Sequence, residues 1–176
     1  MEKMIILLRA VNVGGRKLPM AELRDLCRKA GLDDIETYIQ SGNLVFSASS
    51  AAAAEKQIEA LIEDNFGFRS EAMARTAKQW AAYAGGSPFP DSDERGNLVH
   101  LGLAKGELAA DVIGKLQPKA IHGEQIVVKG DALWIDFRKG VGESKLMPNF
   151  INKCAGSPVT MRNWRTVQKL AEMVKS

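Results

Sequence analysis

The order strand, helix, hairpin, helix, strand runs twice along these 176 residues, and this recurrence restricts the chain more than any single motif. In the first copy "KMIILLRAV", residues 3 to 11, is apolar on both faces and predicts a strand with both sides covered. "LPMAELRDLCRKAG" follows, with Pro19 near its start, Leu23, Leu26, Cys27 and Ala30 on one face, and Gly31 at its end. Those are helix start and stop signals. "DIETYIQSGNLVFSA" alternates on either side of Ser41-Gly42, which predicts a hairpin pairing Ile39 with Leu44, Thr37 with Phe46 and Ile35 with Ala48. A second helix, roughly 52 to 65, turns Ile58, Leu61 and Ile62 inward and Glu55, Glu59 and Glu63 outward. A short strand at about 70 to 75 closes the unit.

The second copy begins after a linking helix in "TAKQWAAYAGG" and a loop from Ser87 to Gly96. "NLVHLGLA" reads as a strand, "GELAADVIGKLQ" as a helix, and "QIVVKGDALWIDF" as a hairpin turning at Gly130-Asp131. "ESKLMPNFINKCAG" reads as a helix delayed or kinked by Pro148, and "PVTM" as a short strand. The chain closes on a helix with Trp164, Val167, Ala171 and Val174 on its apolar stripe and Asn163 as its cap. The expected class is therefore α+β: two tandem ferredoxin-like (split βαβ) halves with antiparallel sheets, plus the linking and C-terminal helices. The halves are expected at residues 1–75 and 76–176.

Composition narrows the functional classes. A chain of this length buries a core without metal or disulfide staples, so folding requires no cofactor. The 24 basic and 21 acidic residues leave a formal charge of +3, evenly interspersed, which does not describe a nucleic-acid groove. "MEKMIILLRAVNV" begins with an acid, breaks at Arg9 and lacks a cleavage site, so it does not fit a signal peptide, and it is too short to span a bilayer. No membrane association and a cytoplasmic location are expected. Cys27 and Cys154 lie far apart on apolar helix faces, without zinc or thioredoxin spacing, and are expected to be buried, inert thiols. His100 and His122 form no pair, and no metal site is expected.

The site follows from topology. In a split βαβ unit the first two strands are parallel with the third antiparallel between them, so the loop after strand one and the hairpin bend share one sheet end. Asn12, Gly14 and Gly15 should therefore approach Ser41, Gly42 and Asn43, with Arg9, Arg16, Lys17 and the N-terminus of the first helix at the same rim. Glycines, cations and free N–H groups in one concavity favour an anion. The structural alternative is a permissive Gly-Gly turn, a hairpin tip satisfying its own backbone, and Arg9 held by a carboxylate.

Established phosphate loops are excluded: "NVGGRK" lacks the Walker ending, and "GVGESKL" follows Lys145 with Leu146. An RNA-recognition motif is disfavoured because strand one carries no aromatic residue. In "TMRNWRTV", Thr160, Arg162, Asn163, Arg165 and Thr166 cluster at a helix start. They form either a cap with surface arginines or, if the halves pack suitably, the remainder of an anion pocket that includes Arg162 and Asn163.

Taken together, "LLRAVNVGG", "MAELRDLCRKAGLDDIETYIQSGNLVF" and "TMRNWRTVQKLAEM" resemble the uncharacterised bacterial family known as domain of unknown function 1697. The resemblance implies a compact cytosolic protein of ferredoxin-like halves and brings no activity, ligand or catalytic residue. The resemblance implies a glycine between the arginine and the hydrophobic-asparagine pair, whereas this chain has Ala10 and Val11.

The leading expectation is a non-enzymatic or regulatory protein binding a small anionic or phosphorylated ligand at this rim. A second is an acyl-phosphate or phosphoryl hydrolase with Arg9 or Arg16 as clamp and Asn43 orienting water, by analogy of fold. A third is nucleic-acid binding through Arg162, Arg165 and Lys169. Whether the chain is an enzyme, and its oligomeric state, stay open at this point.

Overall fold

A computed structural model describes residues 1–175. The first half comprises β1 (Glu2–Leu8), α1 (Met20–Lys29), β2 (Glu36–Tyr38), β3 (Asn43–Ala48), α2 (Ala51–Phe66) and β4 (Ala72–Thr76). Helix α3 (Ala77–Ala84) then leads to β5 (Val99–Ala104), α4 (Val112–Leu116), β6 (Gln125–Lys129), β7 (Ala132–Asp136), α5 (Pro148–Ala155), β8 (Val159–Asn163) and α6 (Trp164–Met173). Two four-stranded antiparallel sheets result, ordered β2-β3-β1-β4 and β6-β7-β5-β8. The protein is thus α+β, with two tandem ferredoxin-like halves. One compact unit contains Met1–Ala82 together with the chain from Leu170 onward, and the other contains Tyr83–Lys169.

In the first unit β1 lies between β3 and β4, and Met4 to Leu8 are all buried, as their unbroken apolar run predicts. Ile6, Leu8, Leu44 and Phe46 from the sheet pack with Leu23 and Cys27 of α1 and with Ile58 and Ile62 of α2. Each fully buried side chain of this kind contributes on the order of 1.5–3 kcal/mol before conformational entropy is set against it. Burial pushes the Cys27 thiol up to about 12, which keeps it a protonated, unreactive core group. The second unit repeats the arrangement around Leu133, Ile135 and Phe137, covered by Val112 and Leu116 of α4 and by Ile151 and Cys154 of α5. Trp134 lies outside that cluster, on the other side of β7, where its ring meets Trp164 at a centroid distance of 5.8 Å.

Several expected details differ. Strand β1 ends at Leu8 rather than at residue 11, because Ala10 and Asn12 take φ of 54° and 56°, incompatible with extended backbone. The first hairpin pairs Tyr38 with Asn43, Thr37 with Leu44 and Glu36 with Val45, not Ile39 with Leu44. Ile39 sits at φ 50° and joins Gln40, Ser41 and Gly42 in the bend, moving the register by two. An even shift preserves the faces, so Leu44 and Phe46 still point into the core. The second hairpin turns at Gly130-Asp131 as expected, with Lys129 opposite Ala132.

Glu55 and Glu59 are not simply solvent-facing. Their carboxylates accept from the backbone N–H groups of Ala74 (2.8 Å) and Ala72 (2.9 Å), and Gln79 accepts from Thr76 N–H (2.9 Å). These three side chains close the outer edge of β4, which would otherwise offer donors to another strand. Helix α4 is shorter than "GELAADVIGKLQ" suggests: the Gly106 N–H donates to Ser157 Oγ and the Ala109 N–H to the Ala155 carbonyl, outside any helical ladder. Pro148 occupies the first turn of α5, where its missing N–H costs nothing. Strand β8 runs on to Asn163, past the "PVTM" segment, and the Asn163 carboxamide accepts from Thr166 N–H at 2.9 Å to cap α6.

Candidate functional site

The two bends singled out by topology do meet. The Leu8 N–H donates to the Gly42 carbonyl at 2.8 Å, where β1 stops and β3 starts. A Cβ built on Gly42 would lie 2.7 Å from Leu8 Cβ and 2.8 Å from Val11 Cγ2, so the approach needs a residue without a side chain. The Asn12 side-chain amide donates to the carbonyls of Gln40 (2.6 Å) and Leu18 (3.0 Å), while its Oδ1 accepts from Leu18 N–H (2.9 Å). One carboxamide therefore fastens the loop after β1 to the hairpin bend and to the start of α1.

Between Asn12 and Leu18 the chain makes a tight turn, with Asn12 N–H bonded to the Arg16 carbonyl (2.8 Å) and Arg16 N–H to the Val13 carbonyl (3.0 Å). Gly14 and Gly15, at φ 55° and 82°, form its exposed tip, and a Cβ on either would meet nothing within 4 Å. Their amides make no hydrogen bond among the described residues. Lys17 is exposed and Arg16 half-buried. Helix α1 starts after Pro19 with no side-chain cap, leaving its first N–H groups oriented toward this end. Glu22 in its first turn partly offsets that positive end.

Other candidates have partners within the protein. Arg9 forms a two-pronged ion pair with Glu71, Nε to Oε2 at 2.7 Å and Nη2 to Oε1 at 3.2 Å, and its carbonyl accepts from Ser70 Oγ. Burial alone would raise the Glu71 carboxyl, but the hydrogen bond and charge of Arg9, with Arg16 beyond, bring it below the ordinary glutamate range. Asn43 is fully buried, its amide donating to the Tyr38 carbonyl (2.9 Å) and Ser41 Oγ (3.0 Å). Arg162 lies on strand β8, not at the start of a surface helix, and is only 7 % exposed. That corrects both its expected place as a surface arginine and its grouping with Arg165 and Lys169 on one helical face. It donates to Thr160 Oγ1 and the Met161 carbonyl, and burial lowers its pKa to about 10.

Sequence reasoning missed a cavity of about 420 Å³ at the far end of β3, lined by Gly31, Asp33, Asp34, Ser47, Ser50 and Gln57. None of the rim residues lines it. Asp34 is engaged there: Ser47 donates to it from its N–H (3.0 Å) and its hydroxyl (2.5 Å). Burial opposes these bonds, which nevertheless hold the Asp34 carboxyl below its usual range. The small side chains of the serine-alanine run 47–54 leave space at this end, and such a run does not announce a cavity in the sequence. Among the described residues no group of three His, Cys, Asp or Glu is placed to hold a metal ion, and no helix is long and apolar enough to cross a membrane.

Fold and rim together define an α+β protein of paired ferredoxin-like halves with one tightly clamped loop junction. It belongs to the family described as protein of unknown function (DUF1697), whose profile matches residues 1–134. A similar solved structure is that of the conserved bacterial protein SP0830 from Streptococcus pneumoniae, 24% identical, with a TM-score of 0.77 over 100% of this chain and 99% of that one. At that identity the likeness bears on the fold. No curated protein sequence matches the chain.

Proposed function

We propose that the junction of the β1–α1 loop and the β2–β3 bend binds a small anionic ligand. The observation that carries this reading is backbone strain. Among the described residues Ala10, Asn12 and Ile39 alone hold positive φ without being glycine, and all three lie at this junction. Ala10 and Ile39 each cost on the order of 1–3 kcal/mol there, Asn12 less because asparagine tolerates the left-handed region, and positions of this kind concentrate where a surface is shaped for a ligand. Ile39 is the extreme case, because a β-branched side chain disfavours that region most.

The anionic character comes from what is left unpaired. With Arg9 matched to Glu71 and both asparagine amides used internally, the remaining donors are the Gly14 and Gly15 N–H groups, Lys17, Arg16 and the uncapped start of α1. A phosphate or carboxylate suits that set through charge-assisted hydrogen bonds. Arg162 and Asn163 belong to the second sheet, and the reading does not depend on them.

Titration with inorganic phosphate, followed by amide NMR, tests the proposal. Expected are saturable shifts at Gly14, Gly15 and Lys17, weakened severalfold in Lys17→Ala. Flat responses across a broad library of phosphates, nucleotides and carboxylates would remove it.

A further inference from the structure

Independently of the anion site, we propose that the outer edge of β6 pairs with the same strand of a second copy of this chain. The two strands run antiparallel about Val127 and join their sheets across a two-fold axis. The hairpin fixes which backbone groups are free for this. Gly130 at φ 62° opens a two-residue turn with Lys129 opposite Ala132, so Lys129, Val127 and Gln125 exchange hydrogen bonds with β7. Ile126 and Val128 alternate with them and direct their N–H and C=O groups outward from an edge strand. Neither residue's backbone finds another partner among the described residues.

The other sheet edges are guarded. On β4 the Ala72 and Ala74 N–H groups donate to Glu59 and Glu55. On β8 the Val159 N–H donates to Asn152 Oδ1 and the Met161 carbonyl accepts from the Arg162 guanidinium, each at 2.9 Å. Strand β2 has only three residues and begins with the exposed Glu36. Charge, shortness, proline and bulges are the devices that keep edges from pairing, and β6 has none of them. Its register against β7 is unbroken over five residues without a proline, and its lysine is drawn aside, with Lys129 Nζ donating to the Gly86 carbonyl at 2.7 Å. Apolar exposure collects in the same stretch of chain. Ile113 on α4, which packs on β6, Ile121 in the connection and Val128 on β6 are 37%, 63% and 37% exposed.

The edge complements itself, which selects its occupant. Pairing about Val127 sets Ile126 opposite the partner's Val128, and Val128 opposite the partner's Ile126, so every outward backbone group of these residues is used. Gln125 faces the partner's Lys129, and no like charges oppose each other, whereas pairing about Lys129 would set two lysines together. Both open edges disappear in one contact. The outermost strands of the joined sheet are then the guarded β8 strands, so assembly stops at two copies.

The test is analytical ultracentrifugation of the full chain at low salt, from micromolar to submillimolar concentration, with amide hydrogen exchange in parallel. Expected is a reversible monomer–dimer equilibrium, with exchange at the Ile126 and Val128 amides slowed severalfold as the dimer fills. Val128→Pro removes an outward N–H, which an edge strand tolerates, and should abolish the dimer while the circular dichroism spectrum stays unchanged. Gln125→Lys sets like charges opposite each other twice and should weaken dimerisation severalfold, whereas Gln125→Glu should strengthen it by a similar factor. Gln125 is exposed, so these two variants decide the matter even if the proline destabilises β6. A chain that stays monomeric throughout overturns the proposal, as does a dimer indifferent to all three variants. A dimer that Val128→Pro abolishes but charge at position 125 leaves untouched overturns the pairing about Val127.

Discussion

The side-chain amide of Asn12 donates to the Gln40 carbonyl at 2.6 Å, so one residue of the β1–α1 loop governs the position of a bend 28 residues further on. Because Asn12 also exchanges two bonds with Leu18 and holds φ 56°, its substitution separates two effects. Asn12→Gly keeps the conformation and loses the three bonds of the clamp, roughly 2–3 kcal/mol, plus about 0.5–1 kcal/mol for glycine's freedom in the unfolded chain. Asn12→Ala loses the same bonds and adds a left-handed penalty of roughly 1–2 kcal/mol, so it is expected to be the less stable of the two by about 0.5–1 kcal/mol. Urea denaturation of both variants checks the order, and a less stable glycine variant would mean that the left-handed penalty at this position is smaller than glycine's entropic cost.

Ala10 offers the opposite test. It holds φ 54°, and alanine there costs roughly 1–2 kcal/mol relative to its relaxed state. Glycine's greater freedom in the unfolded chain returns about 0.5–1 kcal/mol of that. Ala10→Gly is therefore expected to stabilise the protein by about 0.5–1 kcal/mol, seen as a higher denaturation midpoint with an unchanged slope. A lower midpoint would show that the strain has been misplaced.

Two glycines of the same rim should respond unequally to a methyl group. Gly42→Ala drives a Cβ into Leu8 and Val11 and also strains a φ of 88°, for a loss of about 3 kcal/mol or more. Gly14→Ala meets open space and incurs only the backbone penalty, about 1 kcal/mol. Thermal unfolding of the pair resolves the difference, and comparable losses would contradict the close approach at Gly42.

What could be read in the sequence, and what could not, divides along physical lines. Alternation and helical period, being local, mark the β1-α1-β2-β3-α2-β4 order, and topology alone brings Asn12 toward the bend at Gly42. The hairpin register is off by two because Ile39 enters the turn, against the preference of every β-branched residue. Arg9 finds Glu71 across 62 positions, a pairing no local pattern announces. Arg162 looks like a surface cation only while β8 is taken to end at Met161; two further strand residues bury it. The cavity beside Asp34 escapes notice since serines and alanines carry no signature of the space they leave.

His100 makes the stability of the second unit depend on pH in a definite direction. It lies on β5 with its ring edge-on to Phe137 at 5.0 Å, and its Nδ1 is 3.2 Å from the Leu98 carbonyl. Burial lowers its pKa from the ordinary 6.5, and the Leu98 carbonyl opposes that shift without cancelling it. With the folded value below the unfolded one, the unfolded chain binds more protons near pH 6, so stability rises with pH through that window. Acidification from pH 7 toward 5 is expected to lower the denaturation midpoint well above the range where carboxylates titrate. His100→Gln, which cannot titrate, should be less stable at pH 7 through loss of the Phe137 contact, yet nearly flat between pH 7 and 5. A variant retaining the wild-type slope would assign the dependence to another group.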